Sequence, residues 1–86
     1  MEKLESRIQT LIQQLKPALS GHVEELSELV ETHGEYGVAL ENLCSLLEEK
    51  EIQIEKEQLT EILMLFKKMG FEQDSIEYYS KSLKTD

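Results

Sequence analysis

Apolar residues return every three or four positions from Leu4 to Leu83, and that rhythm admits amphipathic helices and little else. Leu4, Ile8, Leu11, Ile12 and Leu15 form a first stripe, with Arg7, Gln9, Gln13 and Gln14 mostly facing away. Pro17 ends it, because the residue before a proline is pushed out of the helical region. Ser20 is placed to cap a second helix, whose inner stripe is Val23, Leu26, Leu29, Val30 and His33 and whose outer face carries Glu24, Glu25, Glu28 and Glu31. Gly34 stops it.

Helical spacing restarts at Tyr36 and runs to Leu47, with Tyr36, Leu40, Leu43, Cys44 and Leu47 on one side and Val38, Ala39 and Leu46 widening it. This helix should be the most buried, and Gly37 near its start would let another helix cross closely. Glu48 to Gln53 is the polar connection to a helix over Glu55 to Met69, with Leu59, Ile62, Leu63, Phe66 and Met69 inward and Gly70 just beyond its end. Asp74, followed three residues later by Glu77, starts a short final helix with Ile76, Tyr79 and Leu83 on one face. The tail Lys84-Thr85-Asp86 should fray, and Ile52-Gln53-Ile54 alternates for only three residues, too short to found a sheet. The expectation is an all-α fold: one domain over residues 1–86, a compact bundle of four to five helices centred on the segments 36–47 and 55–69.

Size then limits function. A chain of 86 residues excludes a multi-domain enzyme and leaves little room for a deep substrate pocket. An apolar fraction of 40% beside 31% charged residues is that of a folding chain, not a disordered tail. Cys44 stands alone, so no internal disulfide forms and no paired-cysteine zinc framework exists, which suits a reducing cytosol. The amphipathic start Met1-Glu2-Lys3-Leu4-Glu5 is unlike a signal peptide, and no apolar run nears the roughly 18 residues of a membrane span. A cytoplasmic protein is expected.

Catalytic and metal chemistry find few footholds. His22 and His33, eleven residues apart, would stand about 16 Å apart on one helix, too far for a shared ion. His22 reads as a helix-start residue, and His33 as one that packs or steadies the C-terminal end of its helix. Cys44 falls on an apolar stripe, where a thiol is core and not nucleophile. The glutamates recur at solvent-facing spacing, with no desolvated pocket to tune one as an acid. Isolated glycines at 21, 34, 37 and 70, and aspartates only at 74 and 86, give no phosphate or calcium loop. The expectation is no enzyme, no metal and no cofactor.

Charge is the informative feature. The net charge of −9 repels nucleic acid and anionic lipid and attracts a basic protein. It is concentrated: Glu24 to Glu61 holds twelve glutamates against Lys50 and Lys56, while residues 1–23 sum to +1 and residues 62–86 to zero. Such a patch is either a solvated coat or a surface for fast capture of a cationic partner. Tyrosines often anchor interfaces. Tyr36 can be core or exposed anchor, whereas Tyr78 should point outward if Tyr79 packs with Ile76 and Leu83.

The run Thr32-His33-Gly34-Glu35-Tyr36-Gly37-Val38-Ala39-Leu40-Glu41-Asn42-Leu43-Cys44, the acidic connection, the helix Lys56 to Lys68 and Met69-Gly70-Phe71 together resemble the small bacterial immunity proteins of the MafI type. The likeness covers about residues 20–71, and those proteins are encoded beside polymorphic and contact-dependent growth-inhibition toxins. It implies a protein that binds a toxin domain, commonly a nuclease, inside the producing cell. A second, weaker likeness is to the colicin nuclease immunity proteins, through Asp74, Tyr78 and Tyr79, but the spacing is one residue longer and Ser80 stands where that family has proline. No contacts are carried over from it.

The expected function is therefore immunity: stoichiometric neutralisation of a cognate toxin's C-terminal domain, with no direct nucleic-acid or membrane contact, by a chain that is a monomer or weak dimer when free. The expected contact set is Glu28, Glu31, Glu35, Tyr36, Glu41, Glu48, Glu49 and Glu51, drawn from outward positions and the acidic connection. The alternative is a self-assembling helical adaptor, which would expose an apolar stripe through Met64 and Leu65.

Overall fold

The computed structural model describes residues 3–85 and shows an all-α fold, with six helices and one two-residue strand pair among them. Asp86, the last residue of the tail expected to fray, lies outside the described residues. The chain divides into two packing units, Met1–Leu43 and Cys44–Asp86.

In the first unit, α1 spans Leu4–Gln14 and buries Ile8, Leu11 and Ile12 as the 3–4 spacing requires. Leu15, buried at its end, leaves helical geometry, and a separate four-residue helix α2 (Lys16–Leu19) succeeds it. Pro17 thus opens a short helix as well as closing the first one. Its ring fixes a helical φ, and near a helix start its missing N–H leaves no intrahelical bond unmade. The helix ends at Ser20 and Gly21, both at positive φ (29° and 85°). Ser20 is consumed by that turn and does not cap the next helix; His22 precedes α3 (Val23–Glu31), and its side chain makes no cap bond.

α3 packs on α1, burying Leu26 and Val30, with Val23 and Leu29 half-buried. Gln9, expected to face away, is half-buried against α3: the Ser27 hydroxyl donates to its Oε1 at 3.1 Å and its Nε2 donates to the Ser27 carbonyl at 3.5 Å. His33, expected on the inner stripe, is exposed. The helix has already closed at Glu31, and Gly34 at φ +62° turns the chain, so the stripe's phase is lost before residue 33.

α4 (Tyr36–Glu49) starts where the restarted periodicity placed it and crosses the division between the units. Ala39, Leu40, Leu43, Cys44 and Leu47 are buried, Tyr36 and Leu46 are half-buried, and Val38 is exposed.

In the second unit, α4 ends in a reversal with two bonds: the Ile52 N–H donates to the Leu47 carbonyl at 2.9 Å and the Glu51 N–H to the Glu48 carbonyl at 3.2 Å. That pattern needs a left-handed residue just past the cap, and Glu51 takes it at φ 51°, where glycine is usual. β1 (Gln53–Ile54) leads into α5 (Lys56–Lys68), where the Glu55 N–H donates to the Gln58 side-chain oxygen at 2.9 Å across the first turn. α5 ends on the same reversal, now with Gly70 at φ +83°; Phe71 N–H donates to the Phe66 carbonyl at 3.0 Å. The two phenylalanine rings meet at 4.7 Å, the apolar contact such an ending favours.

α6 (Gln73–Ser82) packs on α5 and starts one residue before Asp74, with Glu72 ahead of it and no side-chain cap. Tyr79 stacks on Phe66, while Leu83 is buried just beyond the helix. The tail does not fray at Lys84 and Thr85: they form β2, parallel to β1, with Gln53 opposite Lys84 and Ile54 opposite Thr85. A run too short to found a sheet alone is held because Ile54 and Leu83 are both buried, which fixes the two backbones side by side.

Candidate functional site

From Pro17 to Glu49 the chain carries no lysine or arginine and eight glutamates. In the first unit these are Glu24, Glu25, Glu28, Glu31, Glu35 and Glu41, and every one is exposed. Helix geometry explains it: Leu26 and Val30 take the inner face of α3, and the four glutamates of that helix fall at the complementary positions. Glu35 lies in the turn after Gly34, and its N–H donates to the Leu29 carbonyl at 2.9 Å. The half-buried Tyr36 opens α4 directly behind it. Within this unit His22 Nδ1 is 3.9 Å from Glu25 Oε2, and it carries charge only when protonated. Of the expected contact set, Glu28, Glu31, Glu35 and Glu41 are exposed carboxylates, and Tyr36 is half-buried.

The remaining three members lie in the second unit, in a different situation. Glu49 is exposed. Glu48 is half-buried, and its Oε2 accepts a hydrogen bond from the Tyr78 hydroxyl at 2.8 Å. Glu51 is exposed and accepts a charged hydrogen bond from Lys84 Nζ at 2.8 Å on Oε1. These pairs reach across 30 and 33 residues of sequence, so periodicity gave no sign of them. The Lys84 hydrogen bond and its charge hold the Glu51 carboxyl below the usual carboxylate value. The hydrogen bond to Glu48, reinforced by its charge, pushes the Tyr78 phenol upward.

The expected contrast between the neighbouring tyrosines holds. Tyr78 is 57% exposed, while Tyr79 is half-buried and stacked on Phe66. The apolar stripe named for self-assembly does not form in full: Met64 is 47% exposed, but Leu65 is fully buried. α5 turns 100° between consecutive residues, and Leu65 lies three residues from Ile62 and beside Phe66 on the buried side.

Cys44 is buried, as its place on the apolar stripe suggested. Among the described residues no group of three or more His, Cys, Asp and Glu side chains could hold a metal ion, and no helix is long and apolar enough to cross a membrane. What the arrangement offers chemically is a dense array of hydrated carboxylates on a helical frame. Compared with known proteins, the chain matches no family model, no curated protein and no solved structure.

Proposed function

We propose that this chain is a cytoplasmic immunity protein, a binder and not an enzyme, that neutralises a cognate bacterial toxin domain of basic charge. The observation that carries the reading is the exposed carboxylate surface of the first unit, with six glutamates and no lysine or arginine between Pro17 and Leu43. A field of one sign speeds encounter with an oppositely charged protein and repels nucleic acid, the substrate such a toxin would otherwise engage. An array of carboxylates can offer a nuclease groove the negative charge that phosphates would bring, so charge mimicry is the simplest mode of inhibition. The resemblance of residues 20–71 to MafI-type immunity proteins points the same way on separate grounds.

The test is co-expression with the C-terminal domain of the toxin encoded beside it, then co-purification at physiological salt and a growth assay. A tight one-to-one complex with growth restored is the expected result. Failure to form a complex overturns the proposal, and a homodimer that ignores the toxin favours the adaptor reading instead.

A further inference from the structure

Two carboxylates of the acidic connection are already occupied by the chain's own C-terminal segment. Tyr78 on α6 donates to Glu48 on the last turn of α4, and Lys84 on β2 donates to Glu51 in the turn beyond it, each at 2.8 Å. All four groups belong to the second unit. The segment is placed by apolar anchors and not by the polar pairs: Tyr79 stacks on Phe66, and Leu83 and Ile54 are buried where β2 lies along β1. With Leu83 turned inward, strand alternation turns Lys84 outward, over Glu51. Both side chains of that ion pair are more than half exposed, at 54% for Lys84 and 74% for Glu51, so water and dissolved cations reach it freely.

We infer that the C-terminal segment masks the acidic connection, Lys84 standing on Glu51 as an internal substitute for a lysine of a cationic protein partner. The inference rests on the proposed function only in taking that partner to be basic. Lys84 is neutralising, whereas the Tyr78 phenol leaves the charge of Glu48 in place, so the ion pair carries most of the masking. A partner that uses Glu51 must displace Lys84, and the anchors at Leu83 and Tyr79 let it do so without lifting the whole segment. The mask lowers affinity for indiscriminate polycations and leaves the connection available to a partner with enough further contacts to replace one exposed ion pair.

The experiment titrates the intact protein with a ten-residue lysine peptide at low ionic strength, monitored by the backbone resonances of Glu51, Ile54, Lys84 and Thr85. Three variants accompany wild type: Lys84→Gln, Lys81→Gln and the double variant Glu51→Gln with Lys84→Gln. Lys81 is exposed on α6 outside both pairs, so its removal makes the same change in net charge without uncovering Glu51. The expected result is that Lys84→Gln binds the peptide about two- to fivefold more tightly than Lys81→Gln, the range an exposed ion pair commands. The double variant should lose that gain. Equal binding by the two single variants, or peptide binding that leaves the four resonances unmoved, overturns the mask. The peptide arm is independent of any toxin. Masking with no toxin complex sinks immunity alone; a toxin domain that binds wild type and Lys84→Gln equally well sinks masking alone.

Discussion

The ring of Tyr79 lies flat against that of Phe66, with centroids 4.7 Å apart and planes only 6° from parallel. Phe71 meets the same Phe66 ring at 4.7 Å from another direction, tilted by 58°. Phe66 is thus the point where α5, its C-terminal reversal and α6 converge, and it is fully buried. Phe66→Ala should cost about 3–5 kcal/mol, comparable to the whole stability of so small a chain. Phe66→Leu should cost about 1–2 kcal/mol, since the site stays filled while the ring pairs are lost. Urea unfolding of both variants checks the ordering, and equal stability of Phe66→Leu and wild type would show that the rings pack without contributing.

Gly70 supplies the left-handed residue at the end of α5, at φ +83° with open space where a Cβ would stand. Gly70→Ala therefore meets no neighbour and suffers only the backbone strain, about 1–2 kcal/mol. Gly70→Asn should lose less, because asparagine tolerates that region. Denaturant midpoints for the pair separate strain from crowding: a larger loss for asparagine would mean that bulk matters.

Ser27 and Gln9 tie α3 to α1 through a partly buried exchange of hydrogen bonds. Ser27→Ala removes the donor to Gln9 Oε1 and should lower stability by about 1 kcal/mol. The matching double variant with Gln9→Leu should recover much of the loss, because neither partner is then left unsatisfied. A double-mutant cycle by thermal unfolding measures it, and strict additivity would show that the two side chains do not interact.

Two titrations bracket the second unit. Tyr78 has its pKa raised by the bond to Glu48, so its contribution to stability is complete below the ordinary phenol value of 10.0 and is lost as pH rises through the folded value. Glu51 has its pKa lowered by Lys84, so its contribution is present above the ordinary value of 4.5 and is lost as pH falls through the folded one. Tyr78→Phe should remove the Tyr78 contribution from the alkaline limb, and Lys84→Gln should remove the Glu51 contribution from the acid limb. Stability measured by denaturant at several pH values decides, with tyrosine absorbance reporting the phenol directly.

Reversing Glu31 and Glu35 to lysine should slow association with the toxin domain by at least about tenfold at low salt, with the difference shrinking as salt is added. Both are exposed and outside the polar pairs of the second unit, so folding should be unaffected by circular dichroism. Glu48 is a poorer choice for this test, since its reversal also breaks the bond to Tyr78. Unchanged association rates in stopped flow would remove charge steering from the proposed function.

Local rules were enough for most of the helical frame. The 3–4 spacing of Leu4, Ile8, Leu11 and Ile12, the restart at Tyr36, and the limits of α5 between Glu55 and Met69 all come from periodicity and punctuation within a few residues. So does the exposure of Glu24, Glu25, Glu28 and Glu31, because a helix that buries Leu26 and Val30 must turn them to water. Where two signals competed, local rules failed: Pro17 both breaks and starts helices, and Ser20 was needed in a turn before it could serve as a cap.

The long-range pairs belong to another class. The alternation at Ile52-Gln53-Ile54 is too short to mark a strand, nothing near Lys84 marks one at all, and nothing near Glu48 or Glu51 names Tyr78 or Lys84 as a partner. Sequence by itself determined most of the helical segments, the buried stripe of α1 at Ile8, Leu11 and Ile12, and that the carboxylates between Glu24 and Glu41 meet water, because these depend on neighbours within about four positions. Only the tertiary structure decided that the C-terminal strand docks beside β1 and that two of the expected contact carboxylates already have partners. Those outcomes depend on burying Leu83, Ile54 and Phe66 together, and a contact across 30 residues leaves no periodic trace in the chain that makes it.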